Sequence, residues 1–198
     1  PYAVRDENFA ANYWRNWYIE CSLPKATAAG DDLKPFSTSC LASDTGLPNS
    51  DGSISERSTT WRPSLEKMFA EGVKVDFRWV DAGWYTDSEG KTVEENWWGT
   101  VGSWELDPVK WPDKTFRESI DFTKKHGMRT LLWFEPERVT NPEALEQNFG
   151  YNTAWAVSGV PGNKGIVSNI GIPACLKWTT ERICKVLREN GIDMYRED

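Results

Sequence analysis

Three times in this chain a helix with an apolar face stops at a glycine and a strand begins at once: Gly72 into Val73, Gly127 into Met128, Gly191 into Ile192. A glycine just past a helix accepts the left-handed backbone that other residues resist, so each junction is a stop signal with a mechanism. Helices and strands in alternation imply a parallel sheet with right-handed crossovers. That confines the chain to an α/β architecture.

The strands differ in character. Over residues 73–81, Val73, Val75, Phe77 and Trp79 alternate with Lys74, Asp76 and Arg78, a period of two that suits a half-buried pleated surface. Asp76 and Arg78 are expected to pair with each other or with Arg129 inside the sheet. Residues 128–134 are nearly continuous in apolar side chains, as in a parallel strand covered on both faces. Residues 35–42 and 192–198 supply two further strands, which makes four.

Helices are expected from Thr60, as cap, to Gly72, with Pro63 near the first turn and Leu65, Met68 and Phe69 inward. A second opens at Asp113 or Thr115 and carries Phe116 and Ile120. A third opens at Asn141-Pro142-Glu143, a cap followed by a first-turn proline. The longest runs over 173–190, with Trp178, Ile183, Val186 and Leu187 inward. His126 falls in a last helical turn beside Lys124 and Lys125, where cations complement the dipole, and reads as a helix-end residue rather than a ligand or base. The aromatic run Tyr13–Ile19 reads as a strand or a linker. Residues 43–60 are rich in Asn, Asp, Ser and Gly and read as a loop. The connection over residues 84–112, holding Trp97, Trp98, Trp104 and Trp111, is long enough to indicate function.

No G-x-G-x-x-G turn is present, which argues against a doubly wound nucleotide-binding sheet. Acids gather instead at successive strand ends: Asp81, then Glu135 and Glu137, then Glu197 and Asp198. That favours a partial (β/α)8 TIM barrel of about the first four βα units, since barrel strand ends are where substrate is met. An acid beside an indole, as in Asp81-Ala82-Gly83-Trp84, suits a sugar: the acid accepts from hydroxyls and the ring covers a C–H face. With 198 residues there is enough chain for a real core. A net charge of −7 without a Lys/Arg cluster argues against nucleic acid and against an anionic membrane surface. Four dispersed cysteines and one histidine make a structural zinc site unexpected, and neither metal nor cofactor is called for. Unpaired cysteines of this kind favour a reducing compartment such as the cytoplasm.

Taken in order, Val80-Asp81-Ala82-Gly83-Trp84, Gly102-Ser103-Trp104, Trp111-Pro112, Leu132-Trp133-Phe134-Glu135-Pro136-Glu137 and Tyr195-Arg196-Glu197-Asp198 resemble glycoside hydrolase family 36, the α-galactosidase (melibiase) family. The resemblance runs from about Trp14 to the end, and W-F-E-P-E is its most specific piece. It implies that residues 1–34 are the exit segment of a preceding β-sandwich domain and that residues 35–198 are the N-terminal half of the catalytic barrel. It implies a retaining α-galactosidase that hydrolyses terminal α-galactosides through a covalent glycosyl-enzyme intermediate. Asp198 falls at the nucleophile position and Arg196 at that of the sugar-binding lysine, while Asp81, Trp84 and Trp133 fall in the substrate site. The acid/base falls two strands beyond residue 198, so this stretch alone is expected to be inactive.

The sequence also departs from the family pattern. Ala82 replaces the second acid of D-D-G-W, Arg196-Glu197-Asp198 replaces K-W-D, and Ser103 replaces the acid of G-D-W. These departures bear on galactose itself, because a missing acceptor changes which substituents are tolerated. An arginine two residues from Asp198 on one strand face favours the ionised acid. Glu135 and Glu137 are expected to be structural, bonding Arg138 or neighbouring strands, and Trp133 to be either a core ring or a sugar platform. The expected partner is an oligosaccharide or α-galactoside. Unpaired sheet edges point in addition to a homo-oligomer. Three alternatives stand beside the hydrolase: a carbohydrate-binding module without chemistry, an α-glycosidase of other sugar specificity, and a barrel enzyme for phosphorylated substrates, which the absent phosphate loop disfavours.

Overall fold

The structure, a computed structural model, describes residues 7–22, 30, 36–40, 57–93, 99–158 and 166–198. Trp97, Trp98, residues 43–56 of the loop expected at 43–60 and most of the glycine-rich stretch at 158–165 lie outside the described residues, while residues 57–60 of that loop are helical. Two compact units divide the chain, residues 1–36 and residues 37–198.

In the first unit the aromatic run belongs to a helix, α1 (Glu7–Cys21), not to a strand or linker. None of its residues is buried, and Phe9, Tyr13, Trp14, Trp17, Tyr18 and Ile19 are all exposed. Phe9, Tyr13, Trp14, Trp17 and Tyr18 recur at spacings of three to five, a helical period that is plain only when Phe9 is read together with the run 13–19.

The second unit is built on a four-stranded sheet. Its strands are β1 (Thr38–Cys40), β2 (Phe77–Val80), β3 (Arg129–Phe134) and, last in sequence, β7 (Met194–Glu197), in the spatial order β1-β2-β3-β7. All three pairings are parallel. The four expected strands are thus present, but β2 is shorter than its pattern. Val73 is exposed, and Asp76 leaves the alternation to accept from the Ser37 N–H at 2.7 Å and the Ser37 hydroxyl at 3.0 Å. Ser37, and after it the Arg129 charge, holds the Asp76 carboxyl below the usual carboxylate range, so the expected Arg129 partner acts on Asp76, while Arg78 is buried 5.6 Å from the Trp61 ring and Arg129 stacks 4.1 Å over Phe77.

Helices α2 (Arg57–Ala70), α3 (Thr115–Lys125) and α5 (Pro173–Asn190) cover the sheet. The first begins three residues before Thr60, so Thr60 is no cap and Pro63 sits inside the helix. Gly72, Gly127 and Gly191 follow these helices with φ of 72°, 77° and 68°, the left-handed stops read from sequence. From α3, Phe116 and Ile120 are fully buried; from α5, Ile183 and Val186 are buried, with Leu187 partly so. They meet Val80, Leu132 and Phe134 from the sheet. His126 ends α3 as expected, its ring stacked 4.3 Å from Phe69 and its Nδ1 2.9 Å from the Phe122 carbonyl.

A small antiparallel sheet, unforeseen from sequence, lies beyond β3. It consists of β4 (Arg138–Val139), β5 (Ala156–Val157) and β6 (Ile166–Ser168) in the order β4-β6-β5. Strands of two or three residues carry no period to read. Between β4 and β5, α4 (Pro142–Phe149) opens as predicted, with Asn141 Oδ1 accepting from the Ala144 N–H at 3.1 Å. Val139 and Leu145 form a second core with Tyr151 and Cys175.

Gly102 joins this core to the long connection. A Cβ there would lie 3.0 Å from Leu145 Cδ1 and 3.2 Å from Val139 Cγ1, at a φ of 134° that side chains avoid. Gly102→Ala should lower unfolding stability by about 2–4 kcal/mol, combining backbone strain with overpacking. Urea denaturation measures it, and a loss below about 0.5 kcal/mol, within the ordinary range for surface changes, would contradict this placement.

Candidate active site

Successive side chains of a strand point to opposite faces, so the register decides which strand-end groups meet. Trp79 pairs with Leu131, Leu131 with Met194, and Trp133 with Arg196. Continuing that alternation past the strand ends, Asp81, Glu135 and Asp198 fall on the same face as Arg196. The ladder itself extends one step further, since the Asp198 N–H donates to the Phe134 carbonyl at 3.0 Å.

The carboxylate of Asp198 is engaged on both oxygens. Arg196 Nη2 donates to Oδ1 at 2.8 Å and the Trp133 indole N–H donates to Oδ2 at 3.0 Å. The Arg196 hydrogen bond first, then that of Trp133, and then the charges of Arg196 and Arg138 hold the Asp198 carboxyl below the usual carboxylate range. Its side chain remains 48 % exposed and so accessible to a ligand. The Arg196 guanidinium lies 4.8 Å over the Trp79 ring, which fixes its direction.

Glu135 behaves in the opposite way. Burial pushes its carboxyl up, the nearby charges of Glu137 and Asp198 add to that, and an ion pair with Arg138 offsets part of it. The structural pairing of Glu135 with Arg138 read from sequence is present. Asp81 is half-buried, and its Oδ1 accepts from the Ala82 N–H at 2.9 Å, which closes the turn after β2.

The two tryptophans expected to meet substrate have another placement. Trp84 and Trp133 are 0 % and 1 % exposed, so neither offers a ring face to a ligand. Their rings pack with Tyr85, Trp104 and Phe134 at centroid separations of 5.2–6.3 Å. Their polar edges align the strand ends instead: Trp84 Nε1 donates to the Trp133 carbonyl at 2.9 Å, and Trp133 Nε1 reaches Asp198. Burying so large a ring removes more apolar surface from water than stacking on one sugar face could, so packing wins.

Lys110 and Arg182 gave no sequence signal, and Ser103 stands out in the sequence only as a departure from G-D-W. Lys110 is 1 % exposed and donates to the Gly83 carbonyl at 2.6 Å, holding the turn that follows Asp81. Arg182 on α5 donates to the Ser103 carbonyl at 2.6 Å and to Glu105 at 3.0 Å, gripping the connection on both sides of Trp104. Ser103 is fully buried and donates to the Thr86 carbonyl at 2.5 Å. A lysine or serine inside a long loop reads as solvated until the loop's fold is known. Among the described residues no group of three His, Cys, Asp or Glu side chains could hold a metal ion, and no helix is long and apolar enough to cross a membrane.

No protein-family model matches the sequence, and no curated protein matches it. Solved structures do. The chain is similar to an α-galactosidase from Lactobacillus brevis at 16 % identity and a TM-score of 0.60, over 84 % of this chain and 20 % of that one. It is similar to an α-amylase from Geobacillus thermoleovorans, solved with acarbose, at 12 % identity and a TM-score of 0.62, over 82 % of this chain and 40 % of that one. A noncanonic maltogenic α-amylase from Thermotoga neapolitana aligns at 15 % identity and a TM-score of 0.58, over 81 % and 38 %. The chain therefore has a fold found in glycosidases and spans between 20 % and 40 % of the length of these three.

Trp84→Ala and Trp133→Ala should each cost about 3–5 kcal/mol of unfolding stability, the range for truncating a buried aromatic ring. Chemical denaturation tests this; a cost below about 1 kcal/mol for Trp133 would return its ring to the surface as a stacking platform.

Proposed function

We propose that this chain belongs to the catalytic (β/α)8 barrel of a retaining α-glycoside hydrolase, α-galactosidase-like, with Asp198 as its nucleophile. The observation that carries the reading is the state of Asp198. It stands at a parallel strand end, anionic, with both oxygens aligned by N–H donors and about half its side chain open. A retaining mechanism asks for that: a carboxylate to attack the anomeric carbon and form a glycosyl ester, then a second carboxyl to activate water. The proton donor, in this reading, stands on a strand outside the described sheet. Glu135 is committed to Arg138, and Asp81 serves as an acceptor for a sugar hydroxyl. Arg196 donates to a second hydroxyl while orienting the nucleophile. No metal or cofactor is required for such chemistry.

Trp84 and Trp133 act through position rather than by stacking. Ala82 is 6 % exposed and Ser103 fully buried, so the two positions where the family pattern has acids offer no acceptor here. That favours an α-glycoside differing from galactose at one hydroxyl as a second reading of the substrate. The outer strands β1 and β7 each pair on one side only among the described strands, and these edges support association with a second copy or with further strands.

In the full-length protein, Asp198→Ala should abolish hydrolysis of α-glycosides. Added azide should then restore cleavage and give a glycosyl azide of inverted configuration, because a small anion takes the place of the lost carboxylate. Rates within about tenfold of wild type in the alanine variant would remove Asp198 from the mechanism.

A further inference from the structure

The connection that follows Asp81 folds back on itself, and its far end lies along its own beginning. Tyr85 and Leu106 form an antiparallel bridge, the Thr86 N–H donates to the Glu105 carbonyl at 2.9 Å, and the Asp107 N–H donates to the Trp84 carbonyl at 3.2 Å. This ladder runs back toward Asp81 and ends at Trp84, because Asp107 turns the partner segment away. The fully buried Asp107 carboxylate makes that turn, accepting from the N–H groups of Val109 at 2.8 Å and Lys110 at 3.2 Å. Gly83, next in line, is buried too, with a φ of 92°, and a buried carbonyl needs a donor. A side chain supplies it. Lys110, 1 % exposed, reaches back from the turn and donates from Nζ to the Gly83 oxygen at 2.6 Å. A neutral amide would meet that carbonyl at a smaller desolvation cost, whereas an ammonium makes the shorter and stronger bond.

We propose that Lys110 is a positioning residue: by fixing the Gly83 peptide it sets the direction in which Asp81 presents its carboxylate to a sugar hydroxyl. The link between them is short. Asp81 Oδ1 takes its direction from the Ala82 N–H at 2.9 Å, and Ala82 is joined directly to Gly83. Glycine is the least restricted residue of this turn, so a Gly83 carbonyl without its lysine is free to rotate and to carry the Ala82 N–H with it. The backbone ladder cannot prevent this, since its last bond falls on the Trp84 carbonyl, beyond the glycine. Lys110 extends the ladder by one residue and closes the gap. For its functional meaning the inference rests on the reading of Asp81 as a hydroxyl acceptor, whereas the hold of Lys110 on the turn stands apart from turnover.

The test uses Lys110→Met in the full-length protein, which keeps the apolar stem and removes the donor. Amide hydrogen exchange, followed by NMR, needs no substrate. The Ala82 N–H should exchange about tenfold faster in the variant relative to that of Leu132, a fully buried residue of β3. A merely structural loss would speed both amides alike. Kinetics with a nitrophenyl α-galactoside give the second readout: KM should rise by about tenfold while kcat stays within about threefold. In an Asp81→Ala background the same substitution should move KM by less than about twofold, because the carboxylate through which Lys110 acts is gone. Should Lys110→Met fail to fold, Lys110→Gln, whose donor stops one bond short, should show the same two patterns. An unchanged ratio of Ala82 to Leu132 exchange, or a KM effect undiminished without the Asp81 carboxylate, overturns the proposal. A protein without activity on the galactoside would contradict the hydroxyl-acceptor reading of Asp81, and the exchange ratio would then decide the hold of Lys110 by itself.

Discussion

The indole N–H of Trp133 is the contact on which the strand-end arrangement depends. It joins a core ring, 1 % exposed, to a carboxylate at the solvent edge, and so ties the orientation of Asp198 to the packing of the whole aromatic cluster. Trp84 repeats the device one strand over, donating to the Trp133 carbonyl at 2.9 Å. Two indoles in series thus link the ends of β2, β3 and β7. Each buries an apolar body while its single donor meets an oxygen at the strand ends. A phenylalanine would pack as well and align nothing.

Around that link the structure separates rigidity from charge. The rings of Trp84, Tyr85, Trp104 and Phe134 pack edge-on or tilted against one another. Trp104 reaches its place with a positive φ of 47°, which costs energy for a non-glycine residue. Arg182 on α5 offsets that cost by bonding the carbonyl before it and the side chain after it. The charged groups lie just beyond: Asp198 pulled toward its anionic form by Arg196, Glu135 pushed toward its neutral form by burial. Two carboxyls on one face with opposed tendencies are what acid–base chemistry uses, although Arg138 occupies Glu135.

Much of this was legible in the sequence, for physical reasons that can be named. Gly72, Gly127 and Gly191 announced the helix ends because only a left-handed residue fits there, and the strands that follow them are β2, β3 and β7. Asn141 and Pro142 announced α4 through the cap and the fixed proline φ. Asp198 and Arg196 could be paired from their spacing on one strand face, and they are bonded at 2.8 Å. What stayed hidden depends on tertiary contact. Residues 73–76 alternate like a strand, yet β1 pairs in register only with Phe77, Arg78 and Trp79, and Asp76 bonds Ser37 instead of continuing the ladder. Trp133 could be read as a core ring or a ligand platform, because sequence does not say which side of a ring is covered, and its burial makes it the former. Lys110 and Arg182 are hidden for the same reason: a long basic side chain reads as solvated until the carbonyl it meets is folded beside it.

The central claim is that the Asp198 carboxylate attacks an anomeric carbon. Trapping measures it directly: incubate the full-length protein with an activated fluorinated α-glycoside, which slows release of the ester, and map the added mass on its peptides. The account predicts one glycosyl group per chain, carried by Asp198 in the peptide that contains Tyr195-Arg196-Glu197-Asp198. A label on any other carboxylate, or turnover of α-glycosides with no covalent adduct, would contradict it.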